Sequence, residues 1–79
     1  MSVDLKKVEE MTLALMYLTR HDEDDSGART WKGYDWDTLD RLYQQGWISN
    51  PKSKAKSVVL SAEGLRRSRD LSERHFAAE

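Results

Sequence analysis

The chain has 79 residues, 38% of them hydrophobic and 34% charged, and its 13 basic and 14 acidic side chains leave a formal net charge of −1. Such a length allows one small domain over residues 1–79 with a thin core, because a chain of this size buries only about 60% of the surface its unfolded form exposes. There is no Cys, the two His stand far apart at His21 and His75, and the longest apolar-dominated run spans residues 11–18; disulfides and thiolate metal sites are excluded, a His-built zinc centre is not expected, and a membrane span, which takes about 20 apolar residues, is not either.

In chain order, residues 3–20 predict a helix, with Val8, Met11, Leu15 and Leu18 on one face at helical spacing. Leu13, Met16 and Tyr17 fall on its other faces, so residues 11–18 are apolar nearly all round. A helix of that kind is buried on several sides, more than so short a monomer readily surrounds, and a homodimer through helix 1 is expected. Residues 21–30, HDEDDSGART, predict a polar loop with Ser26-Gly27 as its turn, and within it residues 22–27 are expected to be the most mobile internal segment. Asp35 predicts the N-cap of a second helix, Asp37 favours the dipole of its first turn, and Gly46 ends it. Trp36, Leu39 and Tyr43 form the expected apolar face, with Leu42 beside them. Trp31, Tyr34, Trp36 and Trp47 are expected in the core, Trp31 being the one most open to solvent. Residues 47–49 predict a short strand, Asn50-Pro51-Lys52-Ser53 a turn, and 54–60 a second strand. Ser61 then caps a last helix over 62–76, with Leu65, Leu71 and Phe76 apolar and Arg66, Arg67, Arg69 and Arg74 on its polar side.

Charge is divided unevenly. Residues 1–40 carry five basic and ten acidic groups, whereas residues 41–69 carry seven basic groups against Glu63 alone. A basic surface for a polyanion, or acid-to-base contact between two copies, follows if the halves do not interleave.

From residue 35 onward the elements run helix, Gly46-Trp47-Ile48, basic hairpin, helix. The segments LYQQGWI at 42–48, SNPKSKAKS at 49–57 and LSAEGL at 60–65 resemble the winged helix of multiple-antibiotic-resistance-type repressors. There a recognition helix ends in a Leu-x-x-x-Gly-Leu/Trp-Ile type segment, a basic wing follows, and Leu-Thr/Ser-x-Glu-Gly opens the next helix. Through LALMYLT, WKGYDWDTLDRL and SKAKSVVL the whole chain also resembles a family of small bacterial proteins of unknown function, which implies no activity. The first resemblance implies an α+β winged-helix-like domain: helix 1, a reduced or missing second helix within 21–34, with a single turn at 28–32 as the reduced form, the 35–45 helix, a two-stranded wing and the C-terminal helix. It also implies DNA as a partner. Arg41, Gln44 and Gln45 have the chemistry to read bases, and Lys52, Lys54 and Lys56 reach phosphates from the wing. Asp35, Asp37 and Asp40 oppose phosphates at the start of the same helix. A protein-interaction or dimerisation module is the alternative.

No enzyme, cofactor or metal is expected. There is no Gly-x-Ser-x-Gly, phosphate loop or dinucleotide fingerprint. Asp22-x-Asp24-x-Ser26-Gly27 opens like a calcium loop, but its eighth position is Arg29 and its twelfth Gly33, where an apolar residue and a bidentate Glu belong. MSVDLKKVEE has no apolar signal region, so a cytoplasmic protein is expected.

Overall fold

A computed structural model describes residues 2–25 and 27–78. Its elements are α1 Leu5–Leu18, β1 His21–Asp24, β2 Gly27–Trp31, α2 Trp36–Gln44, β3 Ser57–Leu60 and α3 Ala62–Phe76. Among the described residues this is a small α+β fold of three helices and one antiparallel sheet in the order β1-β2-β3.

Local chemistry sets most of the boundaries. Each helix begins at a side-chain cap that takes one of the four orphan backbone N–H groups of a helix start. Asp4 accepts from the Lys7 N–H at 3.1 Å, Asp35 from that of Thr38 at 3.2 Å, and Ser61 from that of Gly64 at 2.9 Å. At the end of α2 the Gly46 N–H donates to the Tyr43 carbonyl at 2.9 Å and the Trp47 N–H to that of Leu42 at 3.1 Å. These are the two bonds of a Schellman stop, and Gly46 sits at φ 80°, where a side chain would be strained. The expected helices over 35–45 and 62–76 are therefore found.

The expected loop over 21–30 is instead a hairpin, and no reduced helix forms at 28–32. In β2, Ala28 and Thr30 are buried while Arg29 and Trp31 are exposed, the period of two that a strand imposes. Strand β1 is an edge strand whose carboxylates stay in solvent, so packing places no limit on their number. Its register slips by one residue between His21 and Asp24, and Asp22 takes a left-handed φ of 52° in that bulge. Ser26, expected in the turn, lies outside the described residues.

The two-stranded wing is also shorter than expected. Ile48 makes one isolated bridge to Leu60. Beyond it the Ser49 N–H donates to the Val59 carbonyl at 2.9 Å, but the Val59 N–H returns to the Ser49 hydroxyl, where a ladder would use a backbone carbonyl. Pro51, which has no N–H, follows two residues later and cannot extend pairing. Residues 49–56 are accordingly a loop, with the expected turn at its start.

The core is a cluster of Leu13, Ala14, Met16, Ala28, Leu39, Leu42, Ile48, Val58, Leu60 and Leu71, with Tyr34, Trp47 and Leu65 packed against it. Helix α1 turns a different side inward from the one its apolar spacing suggested. Thr12, Leu13, Ala14 and Met16 are buried, whereas Leu15 and Leu18, roughly 200° round the helix from Leu13 and Met16, are 41% and 55% exposed. Both sides are apolar, so spacing alone does not choose between them. In α2, Thr38, Leu39 and Leu42 go inward, and Trp36 and Tyr43 of the expected face are exposed.

Helix α3 packs through small residues, Gly64, Ser68 and Ser72, around Leu71. A Cβ on Gly64 would stand 2.0 Å from the Trp47 carbonyl oxygen. Because the obstacle is backbone, Gly64→Ala is expected to cost about 2 kcal/mol or more and to lower Tm by about 10 °C or more. Gly33→Ala meets nothing within 4 Å and should stay within about 0.5 kcal/mol of the parent. Thermal denaturation followed by circular dichroism compares the two.

Candidate nucleic-acid interface

The six residues singled out by sequence divide into two groups. Arg41 and Gln45 on α2 are engaged with α1. The Arg41 Nε donates to Glu9 at 2.8 Å and its Nη2 to the Thr38 hydroxyl at 3.1 Å, while Gln45 Nε2 donates to the other Glu9 oxygen at 2.7 Å. Glu9 is 13% exposed and Arg41 31%, so the pair is shielded from solvent on most sides. Gln44 is exposed and makes no side-chain hydrogen bond to a described residue. Two of the three α2 residues are thus hydrogen-bonded to α1, Arg41 half-buried and Gln45 at the surface.

Lys52, Lys54 and Lys56 are all exposed, and none pairs with a carboxylate among the described residues. Their loop is held by a residue that the sequence did not mark. The Lys32 ammonium, just past the end of β2, donates to the Pro51 carbonyl at 2.7 Å and the Ser53 carbonyl at 2.6 Å. Its backbone N–H donates to the Lys56 carbonyl at 3.2 Å. Asn50 adds a local turn by accepting the Lys52 N–H at 2.9 Å, and Pro51 is buried beneath. A cation bonded to two backbone carbonyls fixes the loop without neutralising it, so the three other ammonium groups project from a defined base.

Two indoles border this loop. Trp31 is the Cα partner of Ser57 in β3 and is 56% exposed. Its ring lies 4.9 Å from that of His21, which in turn has Nδ1 3.1 Å from Asp22. Trp36, 60% exposed, has the Lys32 ammonium 5.9 Å from its ring centroid. The expectation that Trp36 is core fails because Trp36 and Tyr43 share one side of α2, Trp36 roughly 200–240° round the helix from Thr38 and Leu42, which turn inward. The signal was available in WKGYDW, where two of the aromatic residues bracket a lysine.

The uneven charge of the two halves is partly cancelled in space. Arg41 reaches Glu9 and Arg67 reaches Glu10 at 3.4 Å, joining basic residues of the second half to acidic ones of the first. The loop lysines stay outside that cancellation. A hollow of about 140 Å³ lined by Asp22, Asp24, Gly27, Ala28, Arg29 and Val59 is well below the roughly 300 Å³ at which small-molecule pockets begin. No group of three His, Cys, Asp or Glu among the described residues could hold a metal ion, and no helix among them is long and apolar enough to cross a membrane.

A family model described as a domain of unknown function, DUF6429, matches residues 4–78. The chain belongs to that family. It is also similar to the uncharacterized protein y4hR of Sinorhizobium fredii, with 47% identity over 76 residues that cover 96% of this chain and 97% of that protein. No solved structure matches. The resemblance to small bacterial proteins of unknown function is thereby borne out across nearly the whole DUF6429 chain.

Glu9→Ala is expected to destabilise the DUF6429 fold by about 2 kcal/mol, because one carboxylate serves both Arg41 and Gln45 and its loss strands a half-buried guanidinium. Glu23→Ala, whose carboxylate meets Arg20 in a more exposed pair, should cost less than about 1 kcal/mol. Urea midpoints at constant m-value compare them.

Proposed function

We propose that the chain is a non-enzymatic, winged-helix-like binding module that contacts DNA phosphates through Lys52, Lys54 and Lys56. The observation that carries this reading is the pinned loop: three unpaired ammonium groups lie within residues 41–62, a stretch without a carboxylate. The order of α2, the Ile48–Leu60 bridge, the basic loop, β3 and α3 agrees with a winged helix in which the wing has lost most of its pairing. The hairpin of β1 and β2 occupies the place of the missing helix. With Arg41 and Gln45 held by Glu9, and with Asp37 and Asp40 exposed on α2, the contact is with the backbone and is insensitive to sequence.

Each lysine that neutralises a phosphate adds about 0.9 to the slope of log affinity against log salt. Replacing Lys52, Lys54 and Lys56 together by Ala is expected to flatten that slope by up to roughly 3 and to weaken binding on all sequences alike. Fluorescence anisotropy on a labelled duplex across a salt series measures it. Absence of binding at high micromolar protein and low salt would sink the phosphate reading.

A second reading is self-association, favoured by the outer side of α1. Val8 and Met11 are half-buried there and Leu15 and Leu18 are exposed, forming an apolar stripe that the fold leaves uncovered. A two-fold pair of such stripes is self-complementary. Sedimentation at tens of micromolar should then give twice the 9.2 kDa chain mass, and Leu15→Glu with Leu18→Glu should return it to one. A monomeric parent removes this reading and leaves the first intact.

A further inference from the structure

We propose that the pinned-loop surface takes single-stranded DNA in preference to duplex, with bases stacking on Trp31 and Trp36. The inference rests on the phosphate-binding reading above and names the form of nucleic acid that suits it.

Three observations converge on one end of the molecule. First, two of the three Trp are more than half exposed, at 56% and 60%, in a chain whose thin core has most to gain from burying them. Second, they are tied to the loop by Lys32. Trp31 precedes it in the chain, the Lys32 N–H meets the Lys56 carbonyl, and its ammonium spans from the Trp36 ring to the carbonyls of Pro51 and Ser53. Third, the loop that Lys32 holds presents Lys52, Lys54 and Lys56 exposed, with no carboxylate partner among the described residues. Exposed aromatic platforms set beside mobile cations are what a flexible strand requires, because each base offers a π-face and each linkage a phosphate.

In a duplex the bases are already stacked and paired, so the indoles gain nothing without unstacking a step, and the lysines carry the contact. The two forms are therefore separable. The His21 ring against Trp31 keeps that indole from collapsing onto the sheet while leaving more than half of the residue open. Asp37, next to Trp36 and exposed, opposes a phosphate there, so its removal tightens binding.

The test uses the intact chain with an oligothymidylate of about 12 nucleotides, the matching oligouridylate and a duplex of equal length, at low salt. Binding is read by anisotropy of the labelled strand and by quenching of tryptophan fluorescence. The oligothymidylate is expected to bind about tenfold more tightly than the duplex and to quench the fluorescence. Trp31→Ala and Trp36→Ala should each weaken it by about tenfold while leaving the duplex unchanged. Trp31→Phe and Trp36→Phe, which keep a ring, should retain most of the affinity, and circular dichroism confirms that every variant is folded. Asp37→Asn should bind more tightly. Duplex bound as tightly as the single strand, or alanine variants that bind the oligothymidylate like the parent, would overturn the proposal and leave the phosphate reading standing. Binding of neither form would overturn both. Oligouridylate bound tenfold more tightly than oligothymidylate would overturn the assignment to DNA.

Discussion

Glu9 and Glu10 leave α1 roughly 100° apart, one toward α2 and the other toward α3. Glu9 takes Arg41 and Gln45, and Glu10 takes Arg67. Between them on the same side lies Leu13, which is completely buried. This fork decides which side of an almost uniformly apolar helix faces inward. Rotating α1 to bury Leu15 and Leu18 instead would turn both carboxylates to solvent and strand two guanidinium groups that are now about two-thirds covered. Partly buried charges penalise the wrong packing more heavily than they favour the right one, and that asymmetry orients α1. The placement of α2, and with it Trp36 and the chain leading into the loop, follows.

The same fork limits what α2 can do. Arg41 and Gln45 are committed to α1, and Gln44 alone of the three polar residues makes no side-chain hydrogen bond to a described residue. The exposed cations lie instead in the loop beyond α2, where Lys52, Lys54 and Lys56 pair with no carboxylate among the described residues and the supporting cation is Lys32.

Elements with a chemical start or stop were legible in the sequence. Asp35, Gly46 and Ser61 each act through bonds to residues within four positions, so α2 and α3 could be placed from local reading. The β1–β2 hairpin was not legible, because HDED shows no apolar alternation and GARTW shows too little of it to outweigh its charged neighbours. The exposure of Lys52, Lys54 and Lys56 was legible from their density in the loop. The role of Lys32 was not, since its acceptors are backbone carbonyls 19 and 21 residues away, and carbonyls leave no mark in a sequence. The occupation of Arg41 was hidden likewise: its partner is 32 residues earlier.

The bulge in β1 bears on how copies of this chain can meet. Strand β1 is a sheet edge, and a straight edge of unpaired N–H and C=O groups invites another strand to add to it. The left-handed turn of backbone at Asp22 breaks the regular spacing of those groups, and the neighbouring carboxylates repel an identical edge brought alongside. Growth of the sheet from molecule to molecule, the first step toward a fibril, is therefore blocked at this border.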